Sequence, residues 1–120
     1  MTEKLDALLL GLRDGAQEIA AFAAATPRAE FDADVMKARS VIMSLMIVGE
    51  LMGKIEDYHP HFSAAHPDLP WKQVRGLRNR IAHGYFGINR EVIWVTATES
   101  IPALIAALSD FVPSGTIRRH

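Results

Sequence analysis

The chain is 120 residues long, with 49% hydrophobic residues, a formal net charge of −1 and no cysteine. That length makes one domain with its own core, and the apolar share is high enough to imply further apolar surface buried between subunits. The charge balance excludes a general polyanion binder, so any nucleic-acid contact has to come from a local patch, and the missing cysteines exclude disulfides and thiol chemistry, as suits a reducing cytoplasm.

Thr2 is placed to cap a first helix, with Glu3 and Asp6 in the turn where acids favour the helix dipole. The acids also interrupt the apolar run that a signal peptide needs, so a cytosolic protein is expected. Leu5, Leu8, Leu9, Leu12, Ala16, Ile19 and Ala23 recur at helical spacing opposite Asp6, Arg13, Asp14, Gln17 and Glu18. Thr26-Pro27 should end this helix near Ala25.

A second helix is expected from Asp32 to about Asp57, roughly 35–40 Å long. Its middle, Val41 to Gly53, is apolar nearly all round yet too short to cross a bilayer, which predicts burial by its own domain and by a partner subunit. Glu50 is the exception in that run. A carboxylate there either pairs with a cation of a later helix, Arg78 above all, or lies on a narrow solvated strip.

Tyr58 to Leu69 reads as a loop with one short helix near His61 to Ala65. His59, His61 and His66 lack the fixed spacing of a metal site and read as solvated loop histidines, so no metal or other cofactor is assigned.

Pro70 suits the first turn of the next helix, and Gly84 suits its end in a left-handed conformation. At about 100° per residue, Trp71, Val74, Leu77 and Ile81 form a core face, while Lys72, Arg75, Asn79 and His83 form one polar stripe. Arg78 falls between them, which predicts a half-buried guanidinium in need of an acidic partner. Asn89 caps a last helix in which Trp94, Thr98, Ile101, Ile105, Leu108 and Val112 keep the apolar spacing, and Pro102 should kink or divide it. Residues 1–112 thus form one all-α domain of four to five helices, and 113–120 a flexible tail. No segment alternates like a strand, and no glycine-rich phosphate loop is present.

The run Arg78-Asn79-Arg80-Ile81-Ala82-His83 resembles the catalytic motif of HEPN-superfamily ribonucleases: arginine, a polar residue, three more residues, then histidine. Gly84-Tyr85 extends the likeness to the HepT-like toxin branch, and Pro70-Trp71 before the motif and Phe86-Gly87-Ile88-Asn89 after it agree with that branch. The resemblance implies an up-and-down helical bundle, a homodimer, and a metal-independent ribonuclease toxin using Arg78 and His83. It also implies an MNT-type nucleotidyltransferase antitoxin that transfers AMP to Tyr85. An imidazole titrates near 6.5, which suits proton transfer at neutrality, and a guanidinium offers a fork for phosphate. Asn79 would orient His83 or a phosphate oxygen, Arg75 or Lys72 would hold neighbouring phosphates, and Glu50 would orient Arg78. One histidine cannot easily serve as both acid and base, so a second copy would supply the other. The competing function is a non-catalytic helical dimer that engages a nucleotidyltransferase-fold partner. Taken singly, a histidine at a helix end is ordinarily a dipole partner and arginines on one helix are ordinarily a solvated face; the complete motif is what favours the enzyme.

Overall fold

The computed structural model describes residues 4–84 and 89–110. Thr2, Tyr85, Val112 and the tail expected over 113–120 lie outside them. The described residues are all-α, without a strand.

Helix α1 (Leu5–Ala25) buries Leu8, Leu9, Leu12, Ala16 and Ile19 along one side, as the leucine spacing predicts, and stops before Pro27. Arg13 departs from the expectation of an exposed polar face. It is only 7% exposed, with Nη2 3.2 Å from Asp14. A short helix α2 (Arg28–Ala33) follows where a connection was expected. Pro27 fixes an extended φ at its N-cap, and Phe31 drops fully buried into the core from its single turn. Asp32, expected to open the long helix, instead binds Arg28 at 3.0 Å. The true cap is Asp34, whose carboxylate accepts the N–H groups of Met36 and Lys37 at 2.9 and 3.2 Å.

Helix α3 (Val35–Tyr58) is the centre of the domain, packed on α1 along one side and on the motif helix along another. Val41, Leu45, Val48, Met52 and Ile55 are buried between them. Its third side is open: Met36, Met43 and Ile47 are more than half exposed. Helix α4 (Pro60–Ala65), with Pro60 in its first turn, forms the short element expected in the histidine-bearing loop. His66 lies against Phe62 at 4.4 Å, and among the described residues no three potential metal ligands converge.

Helix α5 (Trp71–Gly84) buries Val74, Leu77 and Ile81. Trp71, expected in the core, is half-buried at its rim and donates Nε1–H to the His66 carbonyl at 2.8 Å. Gly84 is the last helical residue and is not in the left-handed region, contrary to expectation.

Asn89 caps α6 (Arg90–Val95) by accepting the Glu91 N–H. The chain continues without a break through one π-turn (Thr96–Ser100) into α7 (Ile101–Leu108). The π-turn is the form taken by the expected kink. Pro102 has no N–H to donate and its ring crowds the carbonyl four residues back, so the preceding turn widens. Of the residues expected on the apolar spacing, Ile101 and Leu108 are buried, while others are not. Ile93, Ala97, Ile101, Leu104 and Leu108 face the core, while Trp94, Thr98 and Ile105 are half-buried beside it. Trp94 packs on Phe31 at 5.0 Å. By length and composition Arg90–Leu108 is apolar enough to cross a bilayer, with a mean hydropathy of 1.4 over its best window. The buried residues of that same run fill the bundle core.

Candidate functional site

The site begins with two missing side chains. Gly49 and Gly53 are one turn apart on α3 and face α5. A Cβ added at Gly49 would overlap Cβ of Arg78 and lie 3.1 Å from the Val74 carbonyl oxygen. One added at Gly53 would lie 3.2 Å from Nε of Arg75. The glycines therefore form a channel that receives the stem of Arg78 at Gly49 and the guanidinium of Arg75 at Gly53, and α3 approaches α5 more closely at Gly49 than ordinary side chains allow. This is the most extensive helix contact in the domain.

Each arginine meets acids from the same stretch of α3. Nη2 of Arg78 lies 2.7 Å from Oε1 of Glu50, so the carboxylate that interrupts the apolar run is ion-paired and not merely solvated. Nη1 of Arg78 donates to Oδ1 of Asn79 at 3.1 Å. Its Nε is buried and has no partner among the described residues. Each terminal nitrogen carries two N–H groups, so Glu50 and Asn79 use half of them and the remainder can meet a ligand. Arg75 donates to Glu56 at 2.8 Å and to Asp57 at 3.3 Å. The hydrogen bond that Arg75 donates to Glu56 raises its pKa above the ordinary arginine value, against a smaller effect of burial and with help from Asp57, so its charge is constant at any physiological pH.

Together these residues line a groove of about 250 Å³ whose walls are Glu50, Lys54, Asp57 and Tyr58 on α3 and Arg75, Arg78 and Asn79 on α5. Such a groove can hold an anion between cations whose positions are fixed by carboxylates. Four of the residues picked out from sequence, Glu50, Arg75, Arg78 and Asn79, meet here.

His83 does not line this groove; it stands exposed in the last turn of α5. Its position is about 140° around and about 7.5 Å along the helix from Arg78, almost opposite the buried face of Val74, Leu77 and Ile81. Lys72 also leaves the expected stripe. It turns toward α6, lining a second groove with Arg80. Tyr85 lies outside the described residues.

Sequence reading missed the glycine channel, the acids Glu56 and Asp57 that hold Arg75, and the groove residue Lys54. The four-residue spacing of Gly49 and Gly53 beside Glu50 was the available signal for the channel.

Residues 12–111 match the family described as Ribonuclease HepT-like. Among curated relatives, "Putative RNase TTE0752" of Caldanaerobacter subterraneus subsp. tengcongensis is 35% identical over 75 residues, 62% of this chain and 64% of that protein. "Probable ribonuclease HepT" of Thermococcus cleftensis is 35% identical over 75 residues, 62% of this chain and 66% of that protein. "Putative RNase MJ1380" of Methanocaldococcus jannaschii is 32% identical over 98 residues, 82% of this chain and 87% of that protein. The chain thus covers just under two thirds of the first two relatives and more of the third. No solved structure gives a significant match. With 100 of its residues inside the family match and its Arg78-to-His83 motif on one ordered helix, the chain belongs to the HepT-like ribonuclease family of the HEPN superfamily.

Proposed function

We propose that the protein is a metal-independent endoribonuclease in which Arg78 and His83 carry the chemistry, acting as the toxin of a toxin–antitoxin pair. The observation that carries this reading is the state of Arg78: a half-buried guanidinium, set by a glycine channel and a carboxylate, inside the family's motif. The relatives named as RNases point to the same substrate class.

In the reaction, a base takes the proton of a ribose 2′-hydroxyl and the 2′-oxygen attacks the adjacent phosphorus. The bond to the 5′-oxygen breaks, and that oxygen receives a proton. Arg78 meets the charge that develops on the non-bridging oxygens, and His83 moves a proton. Asn79 fixes one terminal nitrogen of Arg78 and so helps to aim the fork.

Within one chain Arg78 and His83 point apart, so the working site needs a second surface. A second copy supplies it in this reading. Met43 and Ile47 of α3 are exposed, and Met43 and Met46 line an apolar hollow of about 390 Å³ with Ile81 of the motif helix. Covering this face in a symmetric dimer would bring two motif helices together near the His83 end, with one histidine as base and the other as acid. The antitoxin in this reading is an MNT-type nucleotidyltransferase that neutralises the toxin by transferring AMP to Tyr85.

The test is cleavage of a mixed-sequence oligoribonucleotide by the purified protein beside its Arg78→Ala and His83→Ala variants. Cleavage by the parent and loss in both variants, with helical circular dichroism intact, is expected. Equal cleavage by either variant overturns the reading. The pairing of Arg75 and Arg78 with acids also suits a second reading, a non-catalytic dimer that binds a nucleotidyltransferase-fold protein. A stable complex without any RNA cleavage would favour that reading.

A further inference from the structure

The four cations of α5 are divided by the helix. Arg75 and Arg78 face α3 and are held by Glu56, Asp57 and Glu50. Lys72 and Arg80 lie on the other flank and have no acidic partner among the described residues. They stand two turns apart, about 12 Å along the axis, with Gly76 midway on the same line. A Cβ at Gly76 would meet nothing within 4 Å, so the helix surface between the cations is a shallow, open saddle.

That saddle is one wall of a groove of about 420 Å³ whose other wall is α6 and the π-turn. Among the described residues the one acid lining it is Glu91, and Glu91 is engaged by Arg28 at 2.7 Å, which leaves the two cations without a described counter-charge. The π-turn brings Thr96 and Ser100 to the groove. Thr96 donates its hydroxyl back to the Val92 carbonyl at 2.8 Å, whereas the Ser100 hydroxyl has no hydrogen bond to a described residue. The groove therefore offers two cations and a hydroxyl without partners among the described residues, and the Gln73 amide, along one line, with an apolar floor from Leu77 and Val92. An extended polyanion fits that arrangement. A compact anion does not, because the cations are too far apart to share it.

We propose that this groove is the bed for the RNA backbone that flanks the cleaved bond, with Lys72 and Arg80 each neutralising one phosphate. The proposal rests on the ribonuclease reading for the identity of the ligand. It places the strand across the exposed side of α5, past His83, and leaves the α3 groove to the phosphate that Arg78 meets. An acidic protein partner is the competing occupant, and the assay separates the two.

Binding of a fluorescein-labelled single-stranded oligoribonucleotide is measured by anisotropy between 50 and 200 mM salt, using full-length His83→Ala so that no cutting occurs. Each phosphate contact on a single strand contributes about 0.7 to the slope of log affinity against log salt. Lys72→Ala/Arg80→Ala added to this parent should lower the slope by about 1.4, and Lys72→Arg/Arg80→Lys should keep it. Lys4→Ala, an exposed cation remote in sequence, should leave the slope unchanged. In the cleaving protein the double alanine change should raise KM and leave kcat within twofold. An unchanged slope, or no measurable RNA binding by the parent, overturns the proposal. Retained RNA affinity with loss of binding to an acidic protein would assign the groove to that partner instead. Absence of cleavage by the unaltered protein would refute the ribonuclease reading alone, since the binding assay still reports on the groove.

Discussion

Gly49 and Arg78 touch where α3 crosses the motif helix: there is no room for a Cβ on the glycine, because the Cβ of Arg78 occupies its place. Gly49→Ala should therefore push the helices apart. Overpacking of this kind costs about 1–3 kcal/mol. Chemical denaturation should show that loss, and cleavage should fall further than stability does because Arg78 moves with its helix. Wild-type stability in Gly49→Ala would contradict the close approach.

Glu50→Gln keeps the shape of the side chain and removes its charge. The pair with Arg78 is part-exposed, with about half of the Glu50 side chain open to solvent. Its contribution to stability is accordingly below about 1 kcal/mol. Activity should respond more strongly, since an error of about 1 Å in a catalytic group costs up to about 10²-fold. A melting temperature within a few degrees of the parent, beside a clear drop in kcat, is the expected result. Equal losses in both would make Glu50 a structural residue only.

His83→Ala and Arg78→Ala should each lower cleavage by about 10²–10³, the usual effect of deleting one oriented group at a developing charge. The products should carry a 2′,3′-cyclic phosphate or the 3′-phosphate formed from it, and EDTA should leave the rate unchanged. Mass spectrometry of the fragments reads the first point directly. Inhibition by chelation would show a metal requirement that this mechanism lacks.

The open side of α3 predicts an oligomeric state. Met43→Glu/Ile47→Glu should convert a micromolar dimer into a helical monomer by sedimentation velocity, with cleavage lost alongside. A parent that sediments as a monomer at that concentration would remove the second histidine from the mechanism.

Tyr85→Phe should retain cleavage and escape neutralisation. An AMP group on the tyrosine, two residues after His83 in the sequence, would add a phosphodiester charge that competes with the RNA phosphates. Intact mass after co-expression with an MNT-type nucleotidyltransferase should rise by one AMP for the parent and stay unchanged for Tyr85→Phe. A neutralised parent of unmodified mass would exclude modification as the means.

Much of the α3–α5 arrangement is legible in the sequence because it depends on angles along single helices. A carboxylate stranded among Val48, Leu51 and Met52 and an arginine beside an apolar face each lack a partner, and the structure pairs them. What the sequence leaves hidden depends on neighbours. Lys72 and Arg75 belong to one stripe on a helical wheel, yet α3 and α6 divide that stripe between two grooves. Trp94 shares the apolar spacing of its helix yet is only half-buried, packed on Phe31, which α2 carries fully into the core. A six-residue helix with one buried residue has too short a period to stand out in a sequence.

The glycine channel has a consequence for how this protein can change. Where two helices meet through interdigitated side chains, every substitution in the layer between them alters their spacing. Here Gly49 and Gly53 remove that layer, so the spacing is set by main chain against the stem of Arg78 and the guanidinium of Arg75. Replacing Leu45 by Met or Val48 by Ile, deeper in α3, would then alter how tightly the domain holds together without moving the guanidinium. Drift in the core and tuning of the motif become separable, and the two glycines are the positions at which they are joined.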